Sequence, residues 1–266
     1  MEYLLETDDM KQFNIISETV DSIINELYNG SNHSLVAKID EALFDNNPDI
    51  LYEVNRVLSV PANLNFLCSK ILNDHQFYSN VLKSSYYHEN GFDKIVLLSG
   101  KNFKLRLHHF GNGLKIPMEN VHDHRWMFAS TILFGDLQMD MFHASIAQDS
   151  SNEAEILNHF VYDSNKTSGS YEVTYRGKAA LKLLETRKYE FSQSYIMWPH
   201  ELHRIKNSNQ EESITLILTG NPISEKCNLY STREFLEEEK SPKYYKDSIL
   251  RKKIVSILEK IYPQKN

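Results

Sequence analysis

Two cysteines, Cys68 and Cys227, are all that the 266 residues contain. They are too few for a disulfide framework and lack metal-finger spacing, which fits a reducing, cytoplasmic setting. Positive charge is also scarce. Lys and Arg number 29 against 36 Asp and Glu, a formal net charge of −7, so no nucleic-acid partner is expected of a surface that is not basic overall. No apolar run approaches the roughly 20 residues of a membrane-spanning helix. The opening Met-Glu-Tyr-Leu-Leu-Glu-Thr-Asp-Asp is acidic where a secretory signal would be basic, so neither membrane insertion nor secretion is expected. Internal repeats and extended low-complexity tracts are absent. What is present, 41% hydrophobic residues, suffices for one sizeable core in one compact unit.

Periodicity divides the chain. Ile16, Val20, Ile23, Ile24 and Leu27 recur at helical spacing, as do Ile50, Leu51, Val54, Val57 and Leu58 after an Asn47-Pro48 start. From Asp93 the pattern turns to strands: Lys94 to Leu98, then the alternating Phe103 to His109, with Gly91 and Gly100 as turn residues. Residues 1–75 are therefore expected to be a helical region packed on a barrel spanning 76–225. A polar segment at 143–170 reads as a surface insertion around a short apolar piece, Ile156 to Val161. Residues 226–266 read as a C-terminal helical extension carried by the stripe Ile249, Leu250, Ile254, Val255, Leu258 and Ile261.

The chemistry concentrates in Val121-His122-Asp123-His124-Arg125-Trp126 and Pro199-His200-Glu201-Leu202-His203-Arg204. Histidines at i and i+2 of a strand share a face, and a third from another strand can complete one side of a metal's coordination shell. On a continuous strand Trp126 and Phe128 face inward with His122 and His124, while Asp123, Arg125 and Met127 face outward. Thr131 to Leu137 reads as a strand, a turn at Gly135 and a returning strand.

These residues resemble the cupin superfamily. His122-x-His124 and Gly135 match its first motif, and Pro199, His203 and Asn207 match its second, although Phe128 stands where that family has a carboxylate. The resemblance implies a mainly β fold with α, a cupin-type double-stranded β-helix (jelly-roll) barrel, with His122, His124 and His203 as metal ligands. The local pattern is similar to the thiol dioxygenases, cupins that hold iron with three histidines. That implies Fe(II) as cofactor and a small-molecule substrate with dioxygen as the partners. The positions where those relatives carry a histidine and a tyrosine are Leu218 and Gly220 here, and Ser79 is the nearest match to their carboxylate-binding arginine, so cysteine is not the expected substrate.

A neutral three-histidine face leaves a divalent ion's charge uncompensated, which favours an anionic chelating substrate. Arg106, Trp126, Phe128 and Tyr195 are the candidate substrate-binding residues; Arg106 reads equally as a solvated outer residue. No catalytic acid or base stands out. His200 is the rival to His203 as third ligand, and His108 and His109, being adjacent, lie on opposite faces. The reading is an iron dioxygenase acting on a small anionic metabolite. The competing classes are a metal-dependent isomerase or lyase and a non-catalytic ligand-binding module.

Overall fold

The computed structural model describes residues 8–88, 90–111, 119–146, 154–164, 171–206, 212–234 and 243–262. Five helices come first: α1 (Asp8–Asn29), α2 (Asn32–Ala42), α3 (Pro48–Leu58), α4 (Pro61–Asn73) and α5 (His75–Ser84). Their boundaries follow from local chemistry. Ser31 and Ser34 form a reciprocal capping box at α2, the Asn47 side chain caps α3 ahead of Pro48, and Asp74 accepts from Phe77 N to start α5. The helical region thus runs past the expected limit at residue 75, to Ser84.

Thirteen strands follow among the described residues: β1 (Tyr86–Tyr87), β2 (Asp93–Ser99), β3 (Lys104–Phe110), β4 (Val121–His122), β5 (Phe128–Phe134), β6 (Leu137–Ile146), β7 (Glu155–Ser164), β8 (Tyr171–Tyr189), β9 (Ser194–Met197), β10 (Leu202–Ile205), β11 (Ser213–Thr219), β12 (Lys226–Ser231) and β13 (Lys243–Tyr244), before the closing helix α6 (Asp247–Ile261). One sheet has the order β13-β1-β2-β3-β11-β5-β9, and the second closes on itself as β10-β4-β12-β7-β8-β6. Every described pairing is antiparallel. Within these lie the runs β3-β11-β5-β9 and β4-β10-β6-β8, so the chain alternates between sheets as two interlocked Greek keys. That is the jelly-roll arrangement. Among the described residues no helix is long and apolar enough to cross a membrane.

Two expectations about the chain's middle and end need correction. The apolar piece at 156–161 is no surface excursion: β7 lies between β12 and β8, with Leu157 and Phe160 buried. Its polar flanks hide the strand from local sequence pattern, and residues 147–153 and 165–170 lie outside the described residues. Likewise β12, placed by sequence in a helical extension, is a strand paired with both β4 and β7.

The first sheet has helices on one side and the barrel interior on the other, so its strands bury both faces. Ile95, Leu97, Leu105, Leu107, Ala129, Leu133, Ile214, Leu216 and Leu218 join the helices and α6 in one core. Phe92, Phe110, Phe128, Ile132, Tyr195, Met197 and Ile217 face inward with Leu137, Met139 and Met141 of β6. Each fully buried aliphatic side chain contributes roughly 1.5–3 kcal/mol. Polar ties fix the helical layer. Asn55 of α3, fully buried, donates to Leu216 O at 3.1 Å and accepts from Thr131 Oγ1 at 2.6 Å, and Asp40 of α2 accepts from the backbone N–H groups of Lys101 and Asn102.

Candidate metal centre

His122 ends β4 and His203 sits directly opposite it on β10. His124 lies two residues further along a segment that has left the strand. The three rings converge: centroids are 4.6 Å apart for His122 and His203, 4.9 Å for His122 and His124, and 5.0 Å for His124 and His203. One ligand nitrogen from each lies within 4.8 Å of the others. The His122 Nδ1–H can donate to Asn120 O at 2.9 Å and the His203 Nδ1–H to Glu201 O at 3.0 Å. Such a bond fixes the tautomer in which Nε2 is the lone-pair donor, the usual outer-shell arrangement of a metal-ligating histidine.

Electrostatics disfavour the protonated form of His203 and His124. Burial and the neighbouring His122 push the His203 imidazolium down to about 3. Burial, then His122 and His203, with the cationic Arg106 and Lys94 adding to them, hold His124 well below its ordinary value. Neutral imidazoles that cannot readily protonate are the donors a divalent transition metal requires. The residues present therefore fit such an ion, with three imidazole nitrogens and no carboxylate.

His200 is not part of this group. It occupies a left-handed turn (φ 67°) after Pro199, and its exposed side chain lies 3.7 Å from Asp123 rather than with the triad. Asn207, the residue whose spacing favoured His203, lies outside the described residues.

Parity on a continuous strand is only partly realised, because the chain leaves the strand after His122 and resumes at Phe128. Met127 does face the helices, and Phe128 meets the His124 ring at 5.1 Å in the interior cluster. Trp126 is half-buried and stacks on His124 at 5.9 Å. Asp123, on the face expected to point outward, is buried: its carboxylate accepts from the Asn228 backbone N and from Asn228 Nδ2, both at 2.6 Å. This pins the loop between the two histidines to β12, and His159 Nε2 braces Asn228 Oδ1 at 2.9 Å. Asp123→Ala should weaken metal binding roughly 10–100-fold, read by chelator competition, with Asp123→Asn less affected because an amide oxygen still accepts the backbone N–H. Equal affinity in wild type and Asp123→Ala would remove the residue from this role.

The other candidates are also inside. Arg106 is buried, its guanidinium 5.3 Å from the Trp126 ring centre, so the solvated alternative does not hold. Tyr195 is buried against Tyr189 and Phe128, and burial raises its hydroxyl pKa far above the ordinary value. Leu218 points into the helical core, away from the histidines. At Gly220 a Cβ would stand 2.7 Å from Asn46 Oδ1, so a tyrosine there would need the Asn46 pairing with Asn221 to give way. Ser79 belongs to α5 in the helical layer.

Sequence reasoning missed Lys94, His88, Glu119 and Glu201. Glu119 is buried and accepts from Asn90 Nδ2 and Ile205 N. Glu201 accepts from Trp198 N, holding the turn ahead of His203. The strand alternation of β2 and β3 contained the signal for Lys94, since it shares a face with Phe92 and pairs with His108.

No family model matches this chain, and no curated protein matches its sequence. Solved structures similar to it include a cupin domain from Bordetella pertussis Tohama I (12% identity, 48% of this chain and 93% of that one, TM-score 0.26). A double-stranded β-helix protein from Klebsiella pneumoniae is another (11% identity, 57% and 94%, TM-score 0.30). So is ectoine synthase from P. lautus (11% identity, 63% and 96%, TM-score 0.31). Overlaps this partial leave the chemistry of the jelly roll to its own residues.

Proposed function

We propose that this protein is a mononuclear non-haem iron dioxygenase of the three-histidine cupin type that oxidises a small anionic metabolite. The observation that carries the reading is the convergence of three imidazoles with no carboxylate among them. Ferrous iron bound to such a face would supply dioxygen activation and retain open positions for a substrate that neutralises its charge. The chain's own residues do the rest. Asn120 O and Glu201 O orient the His122 and His203 rings, Asp123 holds their loop, and Arg106 offers a fixed cation beside Trp126 for an acidic group. Trp126, Phe128 and Ile217 line the interior with apolar surface that excludes water. Cysteine oxidation is disfavoured by Leu218 and Gly220.

The test is to load the protein anaerobically with ferrous iron and screen pools of amino acids, thiols and keto acids for spectral change. Hits are then followed by oxygen uptake. Stoichiometric oxygen consumption on substrate addition is the expected result. Turnover without oxygen would instead assign an isomerase or lyase that uses the metal as a Lewis acid, and tight retention without turnover a binding module. Rapid cysteine sulfinate formation would overturn the substrate assignment.

A further inference from the structure

A second group of chemistry-bearing residues lines the same interior, on β1 to β3, and none of them belongs to the histidine triad. Lys94 and His108 are cross-strand partners, Arg106 lies two residues from His108 on the same face, and Tyr86 pairs with Lys94 from β1. Their inward direction is set by Phe92 and Phe110, which flank them in the interior cluster and contact the His108 ring at 4.7 and 6.1 Å. The His88 ring stacks on Phe92 at 4.5 Å, and its Nδ1 accepts from Asn90 N, which puts the proton of the neutral ring on Nε2. The Lys94 ammonium donates to Tyr86 Oη at 3.0 Å and has no carboxylate partner among the described residues. His108 Nε2 is buried with no hydrogen-bond partner there.

A cation placed in an apolar interior without a counter-ion is costly, and so is a buried ring nitrogen with nothing to bond. Burial, then Arg106 and Lys104, press the Lys94 ammonium toward deprotonation, and burial, then Lys94 and Arg106, do the same to His108. One negative group among them would relieve all of these penalties at once. The wall adjoins the metal centre: Arg106 lies over Trp126, and Trp126 stacks on His124.

We infer that Lys94, His108 and Arg106 form an anion subsite that takes a carboxylate at the end of the substrate remote from the histidine triad. This deepens the function proposed above and rests on it for the substrate's other end. It makes the substrate class a short-chain diacid or oxo-diacid, one acidic end on the wall and the other at the three histidines. A carboxylate suits the wall better than a phosphate, because the donors are a few side chains between phenylalanines, with neither a helix N-terminus nor a run of backbone N–H groups to meet a dianion.

The test uses metal-free full-length protein and calorimetric titration with glutarate and, separately, inorganic phosphate. Glutarate should bind and phosphate should not. Lys94→Met, which removes the ammonium and keeps an unbranched side chain, should weaken glutarate roughly 10–100-fold, the cost of losing a charge-assisted contact. Lys94→Gln serves if the Met variant melts early. Ferrous-ion stoichiometry is measured by elemental analysis on wild type and both Lys94 variants, which should keep their metal, so failure of the triad and failure of the wall are read separately. Absence of glutarate binding, preference for phosphate, or equal affinity in wild type and both Lys94 variants would overturn the subsite.

Discussion

Replacing His203 by alanine should empty the site: metal content after ferrous loading should fall from about one ion per chain to near zero, while the far-UV spectrum and melting temperature of the metal-free protein barely change. His203 holds one corner of the triad, opposite His122 in register and across from His124. A metal with two of three protein ligands loses both a donor and the geometry that made the others converge. The jelly roll does not depend on the ion, because its interior is held by Phe110, Phe128, Ile132, Met139 and Met197, unlike a zinc finger that folds only around metal. His200→Ala is the control and should retain full occupancy. The measurement is elemental analysis of both variants; stoichiometric metal in His203→Ala would hand the third position to another residue.

The second large effect is on stability and centres on Asp93. This fully buried carboxylate accepts from Lys253 Nζ at 2.7 Å and from the Tyr245 hydroxyl, and His109 Nδ1 stands 3.3 Å away. His109 Nε2 in turn meets Glu212 at 2.5 Å, and Lys260 of α6 closes on the same Glu212. The network therefore fastens α6 to the end of β2 and β3. Burial alone would raise the Asp93 carboxyl, but His109, Lys253 and Tyr245 outweigh it and hold the group down to about 2. Because the folded value lies below the ordinary one, the ionised form's contribution is complete above roughly pH 5 and is lost as pH falls toward 2, a change on the order of 2 kcal/mol. Asp93→Ala should cost about 3 kcal/mol at neutral pH, since it leaves the half-buried Lys253 ammonium and the Tyr245 hydroxyl without their acceptor. Melting should show this directly, and amide exchange should rise across Asp247–Ile261. A stability loss in Asp93→Ala that does not shrink between pH 6 and pH 2.5 would contradict the linkage.

How much of this could be read beforehand depended on whether a signal was local. His122 and His124 announce themselves through strand spacing, and the hairpin at Gly135, whose φ is 69°, follows from a glycine between a β-branched run and a returning strand. His203 needed only its own short motif. The helical stripes Ile23, Leu27, Leu51 and Leu58 are core as periodicity implies. What could not be read was the pairing of distant strands. Nothing local tells that β12 lies beside His122, so strand parity does not reveal that Asp123 is buried against Asn228, 105 positions away. The same ignorance hid β7 inside a polar stretch. The alternation of β3 separated His108 from His109 correctly, but which of them faces the barrel follows only from where the helices pack.

The closed pairing of the second sheet has a consequence for how the molecule behaves at high concentration. A ring of strands has no border, and the first sheet's described borders are β13 with two residues and β9 with four. Little unpaired backbone is therefore offered as a template for another chain to extend, and short borders of this kind are a recognised defence against edge-to-edge aggregation. Any self-association that does occur would have to be between side-chain faces. Disrupting β4 or β10 would do more than disturb two histidines: it would open the ring and create the very borders that the fold now avoids.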